Sequence, residues 1–229
     1  MKRLLVLLAF LISSCVTNVY HVKPNIPDNP LAYKSVALLY IKSPNGRGTV
    51  ATGFAYDEDR IITAGHFCIS ALEIQIFESH KQDINMKYYD HNMDLKTKHN
   101  LEIEDISRTE DLCVLKKKGH SLIPLNMVKE YKNVKVGDSI TVVGVPAGTA
   151  VGEFYGKVMS PVYYGFGPIT VKGSMLISAA SMGGISGSPI ILDRTGEVIG
   201  VVVRGDRFFD HLTFGINGYR LNEFIKGFE

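Results

Sequence analysis

Thr49-Val-Ala-Thr-Gly-Phe-Ala-Tyr-Asp-Glu-Asp-Arg-Ile-Ile-Thr-Ala-Gly-His-Phe-Cys68 carries two short apolar runs with an acidic turn between them. Asp57, Glu58 and Asp59 favour a turn over a continuing strand. The run at 61–63 then resumes the apolar pattern and delivers Thr63-Ala64-Gly65-His66. Two strands folded back on each other, with a histidine just past the second, predict antiparallel β structure with its chemistry at strand ends.

Working outward, short β-rich runs recur at 36–41, 49–56, 61–63, 72–77 and 112–115. A second set follows Gly137-Asp138, at 140–143, 153–159, 169–172, 175–178, 189–192, 198–203 and 212–216. Many short strands with regular turn signals predict an all-β sandwich or barrels rather than a parallel sheet. The stretch 124–137 lies between the sets and reads as the crossing. Only the end reads as helix: Leu221, Phe224, Ile225 and Phe228 form an apolar stripe at helical spacing. The polar stretch 78–110 holds His80, His91 and His99 at spacings that match no liganding pattern, so a solvated loop or hairpin is expected and no metal or cofactor.

With 25 basic and 23 acidic residues the chain has no surplus of charge to attract nucleic acid or an acidic surface. Lys2 and Arg3 lie in a segment expected to be removed, which leaves the two signs balanced. Residues 1–15 have a basic start, an apolar run at 4–12 too short to span a bilayer, and then Ser13-Ser14-Cys15, the pattern of a secretory signal peptide. Ile12-Ser-Ser-Cys15 resembles a bacterial lipobox, which implies that Cys15 is the lipidated first residue of an exported, membrane-tethered protein of the cell envelope. A plain signal peptide and an uncleaved anchor stay open beside it. Residues 16–33 carry Pro24, Pro27 and Pro30 and read as an extended tether ahead of one domain at 34–229.

Two further peptides match the first in kind. Thr109-Glu110-Asp111-Leu112-Cys113-Val114-Leu115 puts an acid at the head of an apolar strand, and Gly183-Gly184-Ile185-Ser186-Gly187-Ser188-Pro189 puts a glycine-flanked serine before another. A serine hydroxyl needs a base within hydrogen-bond reach to become a nucleophile. An imidazole titrates near neutrality and can both take and return that proton. An acid can fix the imidazole tautomer and steady the imidazolium. Each peptide alone is an ordinary turn or cap; all three together in one chain are not.

In the order His, Asp, Ser, these peptides resemble the trypsin/chymotrypsin superfamily, nearest to its bacterial and viral HtrA-like members. Thr63-Ala-Gly-His66 is similar to Thr-Ala-Ala-His, Asp111-Leu-Cys-Val-Leu to Asp-Ile-Ala-Leu-Leu, and Gly184-Ile-Ser-Gly-Ser-Pro to Gly-Asp-Ser-Gly-Gly-Pro. The resemblance runs from about Val36 to the C-terminus. It implies two antiparallel six-stranded β-barrels, at about 34–123 and 137–216, an active site in the cleft between them, and a terminal helix at about 219–228. It also implies a serine endopeptidase acting on protein or peptide substrates, with His66 as base, Asp111 as its orienter and Ser186 as nucleophile. The N–H groups of Gly184 and Ser186 would form the oxyanion hole, Gly183 would loosen the turn, and Gly187 would let the next strand pack closely. No PDZ-type domain is expected after Phe228.

Departures from the family pattern refine the expectation. Ile185 replaces the acid that receives a newly cut N-terminus in zymogens, which argues against that kind of activation. Ser188 stands where glycine is usual. The substrate pocket would have Ala180 at its base and Val203, Arg204 and Gly205 on its wall, which offers no carboxylate for Arg or Lys. An uncharged pocket for small or medium apolar side chains follows, with Arg204 either exposed or facing an acidic neighbour. Cys68 and Cys113 each follow a triad member by two residues, so a disulfide and a pair of packed thiols are both open. A catalytically silent binding protein and an esterase are the competing functions.

Overall fold

Val-Ala-Leu-Leu-Tyr-Ile-Lys at Val36–Lys42 (β1) pairs along its length with Gly48–Ala55 (β2), which turns at 56–59 into Arg60–Ala64 (β3). Ile84–Tyr89 (β4), Leu95–Ser107 (β5) and Leu112–Lys116 (β6) complete the first sheet. Its order, β1-β2-β3-β6-β5-β4, closes on itself. The second sheet repeats the scheme with Ser139–Gly144 (β7), Gly152–Tyr163 (β8), Ser174–Ile177 (β9), Pro189–Leu192 (β10), Glu197–Gly205 (β11) and Thr213–Asn217 (β12). It closes in the matching order β7-β8-β9-β12-β11-β10. The structure is a computed structural model and describes residues 30–42, 48–78, 84–89, 95–116, 122–163, 173–206, 209 and 211–228.

Closure turns alternate side chains into each barrel. Leu39, Ile41, Ile61, Met86 and Leu115 fill the first, and Ile140, Val142, Met175, Ile177 and Ile190 fill the second, all at most 1% exposed. Strands at the junction bury their other face as well. Phe54, Ile62, Leu112 and Val114 from the first barrel meet Val143, Val145, Ile191, Val198 and Val201 from the second in one apolar seam. This explains the near-continuous apolar runs of β3 and β11, since a strand covered on both sides loses the polar half of its alternation. Each fully buried Val, Leu or Ile contributes about 1.5–3 kcal/mol, so the seam fixes the two barrels as one body.

The crossing at 122–138 is stitched to both. Leu125 N–H donates to Ala55 O at 3.0 Å, Val128 N–H to Val198 O at 3.0 Å, and Val198 N–H to Asn126 O at 2.8 Å. The terminal helix Gly218–Ile225 forms as its stripe predicts, capped by Asn217, whose side chain accepts from Arg220 N–H at 3.1 Å. Leu221 and Ile225 sink into the seam.

Two helices depart from the sequence reading. The predicted strand at 72–77 lies inside a helix, Gly65–Glu78, because the buried set is Phe67, Cys68 and Ala71, with Ile74 packed against them. That spacing is helical, and the alternation after Leu72 is incidental. Pro30–Ser35 is also helical, opening on proline where a missing N–H does no harm, and it buries Ala32 in the seam. The tether reading therefore fails over 30–33. In chain order these helices are α1 (Pro30–Ser35), α2 (Gly65–Glu78) and α3 (Gly218–Ile225).

The polar stretch after α2 supplies the hairpin β4–β5, with His99 Nδ1 2.7 Å from Asn85 Oδ1. Polar β5 is held at its edge by Arg60, whose guanidinium bonds Glu104 at 2.7 Å and Asp57 at 2.9 Å. The Glu104 partnership drives the Arg60 pKa up, and Arg60 in turn holds the Glu104 carboxyl below its usual range. The strand expected at 169–172, His80, His91 and residues 1–29 with Cys15 lie outside the described residues.

Candidate active site

The pairing of β3 with β6 sets Ala64 opposite Leu112, so the residues just past β3 face the residue just before β6. Gly65 N–H donates to Asp111 O at 2.8 Å across that gap. Asp111 is left-handed, at φ 53°, a conformation Asp tolerates better than most residues. It presses on its neighbour: a Cβ at Gly65 would lie 2.9 Å from Asp111 C and from Leu112 N. This gives a physical reason for Gly65 where the family pattern has alanine.

Both oxygens of Asp111 serve His66. Oδ1 accepts from the His66 backbone N–H at 2.6 Å, and Oδ2 lies 2.9 Å from the ring Nδ1. A carboxylate accepts, so Nδ1 carries the proton and the lone pair is left on Nε2. The imidazole is 49% exposed and the carboxylate 23%, so Nε2 is open to an incoming molecule. Directly behind this pair Cys68 and Cys113 form a disulfide, both fully buried, tying α2 to β6.

Ser186 comes from the second barrel, on the tight turn between β9 and β10. Left-handed φ angles fall at Gly184 (93°) and Gly187 (87°), not at Gly183, which has open space beside it and no such requirement. Ala147 N–H donates to Gly183 O at 2.6 Å, and Ser188 N–H to Ile185 O at 3.0 Å. In a trans peptide C=O and N–H point in opposite directions, so tying back these two carbonyls turns the Gly184 and Ser186 N–H groups the other way. Among the described residues neither N–H has an acceptor. Two backbone donors are thus presented next to a serine.

The two halves meet closely. Thr52 N–H donates to Ser186 O at 2.8 Å, and a Cβ at Gly187 would lie 2.1 Å from Thr52 O and 3.0 Å from Ala64 N. Among the described residues the Ser186 hydroxyl makes no hydrogen bond, so its contact to His66 Nε2 is open in this structure. Catalytic hydrogen bonds in unliganded enzymes are often long and tighten when substrate arrives. Ile185 is 2% exposed and packs in the second barrel, which accounts for an apolar residue at the family's acidic position. Ser188 is buried with its hydroxyl unpartnered among the described residues, and Gly144 makes room for it.

The pocket reading changes in one respect. Ala180 is partly exposed and Arg204 exposed, but Val203 points into the seam and not into a wall, because it alternates with Arg204 along β11. Gly205 has the Ser181 hydroxyl directly over its Cα, and buried Thr213 donates to Ala179 O at 2.9 Å. Ser181, Thr213 and Thr52 were not legible as site residues, since each acts through a neighbour remote in the chain.

Comparison with known proteins matches the trypsin-like peptidase domain over residues 51–201, a span that holds His66, Asp111 and Ser186. The chain belongs to the trypsin-like peptidase family. Solved structures of this fold superpose over most of the chain. Deg5 is similar over 85% of this chain and 88% of its own, at 22% identity and TM-score 0.70. The active form of the Rv3671c protease from M. tuberculosis covers 89% of this chain and 86% of its own, at 20% identity and TM-score 0.68. The HtrA-type protease AlgW with tripeptide covers 88% of this chain and 63% of its own, at 17% identity and TM-score 0.68. At these identities the structures speak for the shared two-barrel fold. No curated protein sequence matches the chain.

Proposed function

We propose that this trypsin-like peptidase is an active serine endopeptidase, with Ser186 as nucleophile, His66 as base and Asp111 as its orienter. The observation that carries the reading is the double hold of Asp111 on His66, which leaves Nε2 as the basic nitrogen. Ser186 Oγ attacks the carbonyl carbon of a peptide bond while His66 Nε2 takes its proton. The resulting oxyanion is met by the Gly184 and Ser186 N–H groups, which need not reorganise because their peptides are already tied back. Collapse expels the amine, protonated by His66, and leaves an acyl ester on Ser186. Water, deprotonated by His66, then cleaves the ester and regenerates the hydroxyl.

Substrates are peptides or proteins with an uncharged side chain in the pocket over Ala180, because neither Ala180 nor Ser181 offers a carboxylate. A fluorophosphonate probe should label the native chain, and Ser186→Ala and His66→Ala should remain unlabelled. Equal labelling of all three removes the enzyme reading, and a cleavage profile dominated by Arg or Lys removes the pocket reading.

The protein acts outside the cytoplasm, tethered through a lipid on Cys15. The signal-like residues 1–15 support this, and so does the Cys68–Cys113 disulfide, since such bonds persist in oxidising compartments. Metabolic labelling with a fatty acid should mark the native chain and miss Cys15→Ser; incorporation in neither overturns the lipid tether and leaves a plain signal peptide or an uncleaved anchor.

A further inference from the structure

Thr52 sits inside β2 of the first barrel, fully buried, and yet its N–H and its hydroxyl are both spent at the junction with the second. Its N–H donates to Ser186 O at 2.8 Å. Its hydroxyl donates to Gly184 O at 2.8 Å and accepts from Val145 N–H at 2.9 Å. Its carbonyl accepts from the Thr63 hydroxyl at 2.7 Å, three residues before His66. One residue therefore joins the strand that leads to the base, through its carbonyl, to the turn that carries the nucleophile and the turn at 145–148, through its hydroxyl.

That last turn matters because Ala147 N–H is what ties back Gly183 O, and so sets the direction of the Gly184 N–H. There is no slack around it: a Cβ at Gly184 would lie 2.6 Å from Val145 O and 2.8 Å from Ala147 N. The Thr52 hydroxyl fixes both sides of this contact, Val145 on one and Gly184 on the other. A buried carbonyl or N–H that loses its partner must find another or rotate. The Gly184 carbonyl shares its peptide with the Ile185 N–H, and that peptide lies between the two that carry the donors, 183–184 and 185–186. If the carbonyl is released, the rotation that re-satisfies it turns the backbone at Gly184 and Ile185, and with it the donor peptides on either side.

We propose that Thr52 is a positioning residue for the oxyanion donors: its hydroxyl clamps the Gly184 carbonyl to the 145–148 turn and so holds the Gly184 N–H aimed at the reaction centre. The inference rests on the serine endopeptidase reading above. It assigns Thr52 no contact with substrate. Its loss should weaken transition-state stabilisation and leave ground-state binding alone.

The test uses the full chain with Thr52→Val, which keeps the shape and removes the hydroxyl, and Thr52→Ser, which restores the hydroxyl. Two quantities are read well below the melting temperature of each variant. One is the second-order rate of fluorophosphonate labelling of Ser186; the other is the affinity of a substrate peptide, measured in a Ser186→Ala background. Thr52→Val should label about 100-fold more slowly, the scale of losing one oxyanion donor. Peptide affinity should stay within about twofold and Thr52→Ser within about threefold of native, since no ground-state contact is lost. Should Thr52→Val not fold, Thr52→Cys replaces it, because a thiol is a weak donor of serine-like size. Native labelling with an undiminished, folded Thr52→Val overturns the clamp alone. So does a Thr52→Ser that falls as far as Thr52→Val, or a loss carried by peptide affinity. A native chain that never labels takes down the endopeptidase reading and the clamp with it.

Discussion

Peptide hydrolysis is expected to fall about 10⁶-fold in Ser186→Ala, and to fall hardly further when His66→Ala is added. The reason is that nucleophile and base act as one unit: with no hydroxyl to deprotonate, the imidazole has nothing to do. Asp111→Asn should fall less, by about 10⁴-fold, because it removes the tautomer control and leaves the ring in place. The geometry makes this last variant informative. Asp111 Oδ1 also accepts from the His66 backbone N–H, and an Asn side chain can keep only one acceptor facing the pair. Either the backbone bond or the ring bond is lost, and the ring is then no longer forced to present a basic Nε2. Circular dichroism should stay native in all three variants, because His66 is half exposed, Ser186 makes no side-chain bond among the described residues, and Asn is isosteric with Asp. Steady-state kinetics on any peptide the native chain cleaves supply the measurement. Additive losses for Ser186→Ala and His66→Ala would show two independent groups, and the triad would be wrong.

How far the sequence revealed this arrangement depends on the range of the interactions concerned. Short apolar runs such as β1 and β7 announce themselves, because the signal is local: residues 36–41 and 140–144 are nearly all apolar and mostly buried. Strand β5 does not: Leu101 is its one buried residue, Ile103 and Ile106 are only partly buried, and most of the rest is polar or charged. It joins the barrel through backbone pairing to β4 and β6, which no side-chain pattern records. Helix α2 was hidden for the opposite reason, since β-branched residues after Leu72 imitate a strand while the core contacts run through Phe67, Cys68 and Ala71. The three candidate catalytic residues were legible through their flanking glycines and apolar strands. Thr52 was not, because its partners Gly184 and Val145 lie 132 and 93 residues away. Even the departures from the family pattern became readable only in space: Gly65 answers the left-handed Asp111, and Gly144 answers Ser188.

Removing the disulfide, as Cys68→Ala with Cys113→Ala, is expected to destabilise the fold by about 4 kcal/mol. The bond closes a loop between residues 45 apart, and loop-closure entropy at that length has this size. For a domain of this length that corresponds to a melting temperature lower by roughly 8–16 °C. The effect on catalysis should be far smaller, with fluorophosphonate labelling below the new melting point reduced less than about tenfold. Three hydrogen bonds explain the difference: Gly65 N–H to Asp111 O, His66 N–H to Oδ1 and His66 Nδ1–H to Oδ2 all persist without the sulfurs, so the pair keeps its geometry as long as the barrel is folded. Both sulfurs are fully buried, which adds a kinetic signature. A mild thiol reductant at room temperature should leave the bond intact in the native chain and open it once denaturant exposes α2, since thiolate attack needs access to a sulfur. Thermal unfolding followed by circular dichroism, run on native and double-alanine chains, decides the matter. Equal melting temperatures would mean that α2 is held to β6 by its apolar contacts alone. A labelling rate that collapsed together with stability would instead make the disulfide part of what aligns His66 with Asp111.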